Sequence, residues 1–439
     1  MSTDPTGRTE RSVDVLVVGA GPAGLSIAAA LASAGVPAVE VVEREPEPGG
    51  IPRHSRHTGY GLRDLHRALT GPQYAGRLLA AAGDAGVRVR VASTVTGWGT
   101  DGNRALELTA PTGLERITAG AVVLATGARE RARAARLVPG DRPAGVFTTG
   151  ELQQAVEAGL PIGRRAVVVG AEHVSYSAVL TLRHAGVQVA AMVTELPRPQ
   201  SYPVFAAGSL LRLGVRAVTG TTLTRVLGAD RVEAVELRHA AGRTALLGCD
   251  TVVFTGGWIP DHELARRGGL ELDDGTLGPV VGAGWRTSLP GVFAVGNLVH
   301  PVATADVCVL GARSAAAAVL DRWRRQVGAG GGAGEAWAAP AGAEVRVRAE
   351  RPLRWVVPQR VSPSGPPPDR FLIWADAEVA RPVLRVVQAG RVLHEQRLGR
   401  RLVPNRAVEL PATWVSRTDP APHSGPVTLT LAALPSASS

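Results

Sequence analysis

The chain of 439 residues contains no lysine: all 48 of its basic residues are arginines, and they outnumber the 38 acidic residues to give a net charge of +10. The arginines neither gather on one helix nor alternate with aromatic side chains, which make up only 4% of the residues. This distribution argues against a nucleic-acid-binding surface. We expect the positive charge to act through a basic face that attracts an acidic partner or an anionic substrate.

Cysteine is nearly absent, since only Cys249 and Cys308 occur and they lie far apart in the sequence. This spacing excludes a redox-active pair of neighbouring cysteines, a four-cysteine iron–sulfur site and a cysteine-rich zinc site, and we predict no metal centre. Two isolated cysteines fit a reducing cytoplasm. The segment Met1–Arg11 is polar and lacks the apolar core of a signal peptide. We therefore expect a cytoplasmic protein.

Long apolar runs are also missing, because the longest one, residues 13–42, is interrupted by glycine and proline. No segment is therefore predicted to span a membrane. The same run has the spacing of a dinucleotide-binding unit. It begins as a buried strand, continues through a glycine-rich turn and a helix of small residues, and returns as a second apolar strand.

The glycine-rich turn contains Gly19, Gly21 and Gly24 at the G-x-G-x-x-G spacing. Gly19 permits the tight turn, Gly21 lets a pyrophosphate approach the backbone, and Gly24 lets the helix pack closely on the strand. The helix N-terminus offers free N–H groups and a positive dipole end to phosphates. Glu43 ends the second strand, 19 residues after Gly24, where a carboxylate can bind ribose hydroxyls. The sequence thus predicts a bound dinucleotide.

The segment that follows Glu43 contains glycines and prolines that exclude a regular element over residues 44–57. A loop after such a strand is expected to run along the cofactor toward its reactive end, although a solvated surface loop fits the composition equally well. Leucine spacing then predicts a helix over residues 62–85, interrupted at Gly71 and Pro72.

Residues 163–195 repeat the strand–turn–helix–strand plan, which indicates a second dinucleotide-binding unit. Its turn, however, carries Glu172 in place of the second glycine and Ser175 in place of the third. A carboxylate at this point would crowd and repel a pyrophosphate. The sequence predicts the fold of a second unit and leaves open whether a nicotinamide nucleotide binds there.

Beyond a glycine- and alanine-rich linker the composition changes to short β segments separated by proline and glycine. We expect a small antiparallel sandwich or barrel that mediates dimerisation, docks a partner or only stabilises the core. The predicted strands cover 344–348, 353–357, 371–374, 383–387, 391–398 and 427–431.

Four motifs in order resemble the pyridine nucleotide–disulfide oxidoreductase superfamily of flavoproteins. They are the first glycine turn with Glu43, Ala125-Thr126-Gly127, the second unit, and Gly291-Val-Phe-Ala-Val-Gly-Asn297. The resemblance covers about residues 12–325 and implies an α/β fold with two Rossmann-like dinucleotide-binding domains, to which this chain adds a C-terminal all-β domain. It divides the chain into an FAD-binding domain (12–150 and, returning, 285–327), an inserted NAD(P)-binding-like domain (151–284), a linker (328–342) and the β-rich domain (343–439).

The resemblance implies that FAD is held by residues from both segments of its domain. These residues are Gly19, Gly21, Pro22, Ala23, Gly24, Glu43, Arg44, Gly50, Ile51, Val95, Thr126, Gly127, Gly296, Asn297 and Thr304. Asn297 stands where most members carry an aspartate that binds the ribityl chain, and an amide can still bond a hydroxyl. The helix that begins near Thr304 is expected to direct its N-terminus at the flavin pyrimidine ring and to favour the reduced anion.

A narrower similarity rests on Gly49-Gly-Ile-Pro-Arg-His-Ser-Arg-His57, on Leu69-Thr-Gly-Pro-Gln-Tyr-Ala75 and on Gly145-Val-Phe-Thr-Thr-Gly-Glu-Leu-Gln153. These segments look like the flavoprotein subunits of hydrogen cyanide synthase, opine dehydrogenase and heterotetrameric sarcosine oxidase. They also look like the flavoproteins paired with bacterial glycerol 3-phosphate dehydrogenases. Several of those relatives carry a cysteine at the position of Ser55 and a C-terminal iron–sulfur domain, and this sequence has neither. Without a cysteine pair, a disulfide reductase is excluded.

The first functional hypothesis is an FAD-dependent oxidoreductase that acts on a small amine, amino acid or related metabolite, as a homo- or hetero-oligomer with another redox subunit. Arg53 is a candidate to bind a substrate carboxylate, and His57 or His300 to act as a base. Each of these residues also fits a surface or core role. Two alternatives stay open: an NAD(P)H-dependent flavin reductase that feeds a partner, and a non-catalytic electron-relay or structural subunit.

Overall fold

The computed structural model describes residues 8–99, 105–208, 211, 213–301, 303–328 and 343–432, together with the short strand Ser2–Thr3. These residues form two α/β units and a C-terminal β sandwich. The predicted linker at 328–342 lies outside the described residues, apart from Gly328 at the end of the last helix.

The first unit is built on an eight-stranded sheet with the order β6-β3-β2-β9-β8-β7, to which β1 adds beside β2 and β20 beside β9. Its strands and helices are β1 (Ser2–Thr3), β2 (Thr9–Val18), α1 (Pro22–Ser33), β3 (Val39–Val42), β4 (Thr58–Tyr60), β5 (Leu69–Thr70), α2 (Gly71–Asp84), β6 (Arg88–Arg90), β7 (Thr94–Trp98), β8 (Ala105–Ala110), β9 (Gly113–Leu124) and β10 (Ala128–Arg129), with β20 (Val292–Ala294) and α7 (Ala305–Gly328) returning later in the chain.

The parallel strands of this sheet are buried on both faces, which explains their continuous apolar sequences. The helices α1, α2 and α7 cover one face, where Leu25, Leu78 and Val309 belong to the same core as Val17. The returning strand β20 pairs in parallel with β9, so two segments far apart in sequence complete one sheet. The first glycine turn directly follows β2, so it lies at the carboxyl end of this central strand.

The second unit contains a five-stranded parallel sheet with the order β11-β18-β12-β13-β14 and a three-stranded antiparallel sheet, β15-β16-β17. Its elements are β11 (Val146–Thr148), α3 (Thr149–Glu157), β12 (Arg165–Val169), α4 (His173–His184), β13 (Gln188–Val193), α5 (Pro203–Gly208), β14 (Ala217–Val218), β15 (Thr221–Leu227), β16 (Ala234–His239), β17 (Thr244–Gly248), β18 (Thr251–Phe254), β19 (Ile259–Pro260) and α6 (Glu263–Arg267). The antiparallel pair β10–β19 joins the two α/β units.

The C-terminal residues form a sandwich of two sheets, β23-β21-β28-β25-β26 and β22-β24-β27. Its strands are β21 (Val345–Ala349), β22 (Leu353–Val357), β23 (Arg360–Val361), β24 (Arg370–Ala375), β25 (Val383–Gln388), β26 (Arg391–Arg397), β27 (Val408–Pro411) and β28 (Val427–Ala432). Its core contains the fully buried Trp414, which stacks on Phe371 with ring centroids 4.7 Å apart. The strands β21 and β28 run parallel, so the expectation of a wholly antiparallel sandwich is wrong for this pair.

The sandwich packs against the first unit. Trp355 and Val357 belong to the same hydrophobic core as Leu16 and Val292 of the first sheet. The backbone N–H of Gln359 donates to the carbonyl of Val281 at 2.9 Å, and its side-chain Oε1 accepts from the N–H of Val281 at 3.0 Å. The sandwich is therefore held by apolar contact with the first sheet and by hydrogen bonds between Gln359 and Val281.

The helix predicted over 62–85 is shorter than expected, because α2 begins only at Gly71. Thr70 and Gln73 form a reciprocal capping box in which Gln73 N–H donates to Thr70 Oγ1 at 3.4 Å and Thr70 N–H donates to Gln73 Oε1 at 3.0 Å. Proline at the second helical position of α2 supports this start, so Gly71 and Pro72 open the helix and do not interrupt one.

Candidate functional site at the two nucleotide turns

The three glycines of the first turn have different structural roles. Gly19 has a φ of +105°, and a Cβ there would lie 2.5 Å from the carbonyl oxygen of Ala125. A Cβ on Gly24 would lie 1.9 Å from the carbonyl oxygen of Gly19. A Cβ on Gly21 would meet no atom within 4 Å. The fold itself thus requires Gly19 and Gly24, whereas the space beside Gly21 is open for a ligand.

The N-terminus of α1 is free of side-chain caps. Gly21 occupies the N-cap position, Pro22 follows it, and the first turn of the helix contains no acidic residue. The first-turn N–H groups of an α-helix have no intrahelical acceptor, so this end suits a phosphate. The carboxylate of Glu43 lies at the same edge, where its Oε2 accepts from the N–H of Ala20 at 2.8 Å.

Three segments that are distant in sequence meet at this turn. The N–H of Gly49 donates to the carbonyl of Ala20 at 2.8 Å, and a Cβ on Gly50, whose φ is +63°, would lie 2.9 Å from Cα of Gly21. From the returning segment, a Cβ on Gly296 would lie 2.8 Å from the Cβ of Ala23. These close approaches form a backbone cradle with few side chains, which fits the diphosphate part of FAD.

Four further residues predicted to bind FAD differ in their contacts and burial. Thr126 Oγ1 donates to the carbonyl of Asp261 at 2.7 Å, and Gly127, at a φ of +76°, faces open space. Arg44 lies at the surface and pairs with Asp261 at 3.2 Å. Val95 is half-buried against the core of the first sheet.

Asn297 does not present a free amide. Its Nδ2 donates to the carbonyl of Ala303 at 3.1 Å, and its Oδ1 accepts from the N–H of Ala303 at the same distance. The side chain thus fixes the loop that leads into α7. Binding of a ribityl hydroxyl by Asn297 requires these bonds to be shared or exchanged.

A buried carboxylate at the start of α7 was missed by the sequence reasoning. Asp306 is 7% exposed, bonds the hydroxyl of Thr304 and accepts from the N–H of Val307 at 3.0 Å and from the N–H of Arg63 at 3.3 Å. It places a carboxyl group at the helix end where only a positive dipole was expected. An aspartate two residues after a threonine at a helix start is the sequence signal that was available.

Arg53 is bound within its own loop. Its guanidinium pairs with the carboxylate of Glu45 and donates to the carbonyl of Glu47, and Nη2 lies 3.0 Å from Nε2 of His54. The side chain is therefore engaged by acidic neighbours, which argues against the predicted role of binding a substrate carboxylate. Ile51, on the same loop, is 47% exposed.

His57 belongs to a polar cluster that joins the two α/β units. Its Nε2 lies 2.8 Å from Oγ of Ser55 and 2.7 Å from Oγ of Ser177 in α4, and its Nδ1 lies 2.9 Å from the carbonyl of Thr58. Gln153 in α3 donates to Ser177 at 2.9 Å. Because a carbonyl only accepts, Nδ1 carries the proton, which leaves Nε2 as a basic atom held toward two hydroxyls.

His300 lies apart from that cluster. It is 1% exposed, its ring is 5.5 Å from that of Trp285, and within the described residues neither of its ring nitrogens has a hydrogen-bond partner. Burial lowers the pKa of His300 to about 4, so its imidazole is neutral near pH 7. None of the contacts between described residues connects His300 with Arg53 or His57, and the three predicted catalytic residues do not form one cluster.

The second turn differs from the first because a side chain fills it. Glu172 is 5% exposed; its Oε2 accepts from the N–H of Ala171 at 3.0 Å and its Oε1 from the hydroxyl of Thr255 at 2.8 Å. A Cβ on Gly256 would lie 2.2 Å from Oε1 of Glu172. The chain thus places its own carboxylate at the N-cap of α4, the position equivalent to Gly21 at α1.

A loop covers this filled turn. The N–H groups of Gln200 and Ser201 donate to the carbonyl of Ala171 at 3.0 and 3.2 Å. Tyr202 packs edge-on against His173, with centroids 4.9 Å apart, and Arg406 of the sandwich lies over the Tyr202 ring at 3.9 Å. Burial and then Arg406 lower the pKa of His173 to about 4. Residues of two domains therefore close the N-terminus of α4.

Glu130 is a second buried carboxylate near this turn. It accepts from the hydroxyl of Thr149 at 2.9 Å and from the N–H groups of Gly150 and Gly256 at 3.0 Å each. Burial raises the pKa of Glu130 to about 7, although these hydrogen bonds oppose the shift. In the described part of the chain, no group of three or more histidine, cysteine or acidic side chains is arranged to hold a metal ion.

The family model for pyridine nucleotide-disulphide oxidoreductases matches residues 13–319. The chain belongs to this family. The match confirms the predicted superfamily, the α/β fold with two dinucleotide-binding units, FAD as the cofactor and the assignment as an oxidoreductase. The β sandwich lies beyond the matched residues. None of the helices in the described ranges is long and apolar enough to cross a membrane.

About 70% of the chain is similar in sequence to named oxidoreductases. It is 29% identical over 341 residues to an opine oxidase subunit of Rhizobium meliloti, an alignment that covers 70% of this chain and 62% of that protein. It is 30% identical over 315 residues to the ferredoxin–NADP reductase of Salinispora tropica, covering 70% of this chain and 92% of the reductase. The chain spans just under two thirds of the length of the opine oxidase subunits it matches, at 62% and 65%.

Solved structures support the same fold. The thioredoxin reductase of T. acidophilum superimposes with a TM-score of 0.60 at 20% sequence identity, over 71% of this chain and 98% of that one. At this identity the likeness concerns the fold alone. This chain has only two cysteines, both buried and unpaired, so it does not share a cysteine pair with disulfide reductases of this fold.

Proposed function

We propose that the chain is an FAD-dependent dehydrogenase or oxidase of a small amine, amino acid or related metabolite, and that it works with another redox subunit. The observation that carries this proposal is the carboxylate of Glu172 in the second nucleotide turn. With that turn filled, the organic substrate is left as the source of electrons. FAD, when bound, supplies the acceptor for a hydride equivalent.

The difference between the two turns supports phosphate binding at the first turn. At α1 the N-cap residue Gly21 has no side chain, whereas at α4 the N-cap residue is Glu172, whose buried carboxylate occupies the turn. Two unit charges ~4 Å apart repel by about 4 kcal/mol at an effective dielectric constant of about 20. By this repulsion, a pyrophosphate beside the Glu172 carboxylate would bind about a thousandfold more weakly than at an open turn.

The same comparison supports the proposed FAD residues. Gly19 and Gly24 shape the turn, Gly21 admits the diphosphate, and Glu43 holds a ribose hydroxyl with the carboxylate it keeps at this edge. As the family resemblance implies, we place Thr126, Gly127, Gly296, Asn297 and Thr304 along the cofactor between the first turn and α7. We assign the base to His57, because its Nε2 is held ready to accept a proton beside the hydroxyl of Ser55.

The test is anaerobic absorbance of the FAD-loaded chain, mixed in turn with NADH, NADPH and a panel of amino acids and amines. We expect neither nicotinamide nucleotide to bleach the flavin band, and one member of the panel to bleach it. Rapid bleaching by NADH or NADPH would overturn the proposal. Glu172→Gly is the matched variant: it opens the turn, and a gain of nucleotide-dependent bleaching would identify Glu172 as the obstacle.

A second candidate is an NAD(P)H-dependent flavin reductase that feeds a partner. Two observations favour it: the parallel sheet β11-β18-β12-β13-β14 is complete, and a ferredoxin–NADP reductase matches this chain over 92% of its own length. Glu172 and the loop at Gln200 and Ser201 that covers the second turn argue against a reductase. The absorbance experiment decides between the two, because only the reductase is bleached by a nicotinamide nucleotide.

A partner protein and a cytoplasmic location are part of the same proposal. One relative is itself named as a component of an opine oxidase, and the net charge of +10 would attract an acidic protein. Cys249 and Cys308 are buried and unpaired, as a reducing compartment permits. Turnover of substrate by the isolated chain would argue against a purely structural or electron-relay role. Light scattering would measure the oligomeric state of the chain.

A further inference from the structure

A cavity of about 430 Å³ lies between α7 of the first unit and the β sandwich. This volume is typical of a small-molecule site, which ordinarily takes ~300–1,000 Å³. Its walls come from both domains: Trp285, Val307 and Leu310 on one side, and Val357, Pro358 and Leu372 on the other. The sandwich half lies beyond the family match, so the cavity requires both the family's fold and the C-terminal domain.

The most deeply buried polar group in the cavity wall is His300. Neither Nδ1 nor Nε2 has a hydrogen-bond partner in the described part of the chain, and the side chain is 1% exposed. Leaving a buried polar group unpaired is costly, so a ligand that supplies a partner is favoured. A neutral imidazole offers one donor and one acceptor. The inner end of the cavity therefore suits a polar group of a ligand.

Charges of both signs line the same cavity. Arg370 pairs with Glu409 at 2.8 Å, and Arg286 lies 4.0 Å from Asp321, so these four charges are largely compensated. Among the described residues, the guanidinium of Arg63 and the carboxylate of Asp369 have no hydrogen-bond or ion-pair partner. Arg63 comes from the FAD-binding unit and Asp369 from the sandwich.

We propose that this cavity binds a zwitterionic amino acid with an apolar side chain. The carboxylate of the ligand pairs with Arg63 and its ammonium group with Asp369, while its side chain packs on Trp285 and Leu310. His300, at the buried end, supplies a second hydrogen bond to the ligand carboxylate. One small molecule would then satisfy groups from both domains that have no partner in the described part of the chain.

This inference rests on the proposed function only for the use of the ligand, since an amino acid is one of the substrate classes proposed above. Binding and turnover are measured separately. If L-phenylalanine binds in the cavity and no member of the amino acid and amine panel reduces the flavin, the proposed function fails and the site stands. If an amino acid reduces the flavin but the cavity variants bind it normally, the cavity assignment fails and the function stands.

The test is isothermal titration calorimetry of the full FAD-loaded chain, under anaerobic conditions, with three related probes. L-Phenylalanine carries both charges, 3-phenylpropionate lacks the ammonium group and 2-phenylethylamine lacks the carboxylate. We expect L-phenylalanine to bind with a Kd below ~1 mM, and each single-charge analogue to bind about tenfold more weakly or worse. No binding of L-phenylalanine, or equal binding of an analogue, would overturn the proposal.

The variants place the binding in the cavity. Leu310→Trp adds volume within it and should weaken binding of L-phenylalanine at least ~tenfold, and Arg63→Gln should weaken it by a similar factor. The matched controls are Leu180→Trp, on the exposed side of α4, and Arg324→Gln, at an exposed position of α7 outside the cavity. Both controls should bind as the unmodified chain does. Unchanged binding by Leu310→Trp, with an unchanged thermal midpoint, would contradict the site.

Discussion

The roles assigned to Gly21 and Gly24 predict opposite effects of the same small substitution. Gly21→Ala places a methyl group where no atom lies within 4 Å, on a backbone with a φ of −76° that any residue adopts. Gly24→Ala places it 1.9 Å from the carbonyl oxygen of Gly19. The first change should affect the ligand and leave the fold intact, and the second should affect the fold.

The magnitudes follow from these contacts. For Gly24→Ala, the helix must move away from the strand by more than an ångström to restore a normal contact, which costs about 1–3 kcal/mol of unfolding free energy. For Gly21→Ala the unfolding free energy should stay within about 1 kcal/mol of the unmodified value. Because its methyl group displaces the diphosphate from the helix end, FAD affinity should fall ten- to a hundredfold, or about 1.4–2.8 kcal/mol.

Two assays separate these effects. Urea unfolding of the apoprotein measures stability without cofactor, and quenching of FAD fluorescence measures affinity. The reasoning would be refuted if Gly21→Ala bound FAD normally, since the open space beside Gly21 would then not be the diphosphate site. Normal stability of the Gly24→Ala apoprotein would equally refute the close packing of helix on strand.

Three further outcomes concern stability. Burial raises the pKa of Glu130 from 4.5 to about 7, so the folded state favours the protonated carboxyl. The unfolding free energy should therefore fall by about 3 kcal/mol as the pH rises from 4.5 to 7. Urea titrations of Glu130→Gln should lack this loss. Trp414→Ala should cost about 3–5 kcal/mol in calorimetric unfolding, because it empties the stacked core against Phe371. Glu271→Gln breaks ion pairs with Arg346 and Arg360 that are partly exposed, so its unfolding free energy should fall by less than about 2 kcal/mol.

Much of the fold could be predicted because local patterns determine it. The glycine turn, its repeat around Glu172 and the six predicted C-terminal strands all depend on periodicity and turn residues close in sequence. The strand predicted at 353–357, for example, is β22 at Leu353–Val357. The start of α2 was misplaced because leucine spacing outweighed the capping signal at Thr70, which the sequence also contains.

The site was harder to predict because its groups come from distant segments. Several contacts of the site leave no pattern in the local sequence. Asn297 bonds to Ala303, Arg53 pairs with Glu45, and His57 contacts Ser177. The cavity beside His300 depends on how the sandwich docks, which no periodicity encodes. Sequence reasoning thus identified residue types suited to the chemistry and could not identify their partners.

The carboxylate at α4 also affects how phosphate-bearing molecules approach the chain from solution. A helix end whose positive pole is neutralised from within projects a weak field beyond the surface, so diffusing anions are not drawn to it. The end of α1 keeps its field. Of the two nucleotide turns in the described residues, only the first therefore keeps an uncovered positive helix end that faces phosphate-bearing molecules.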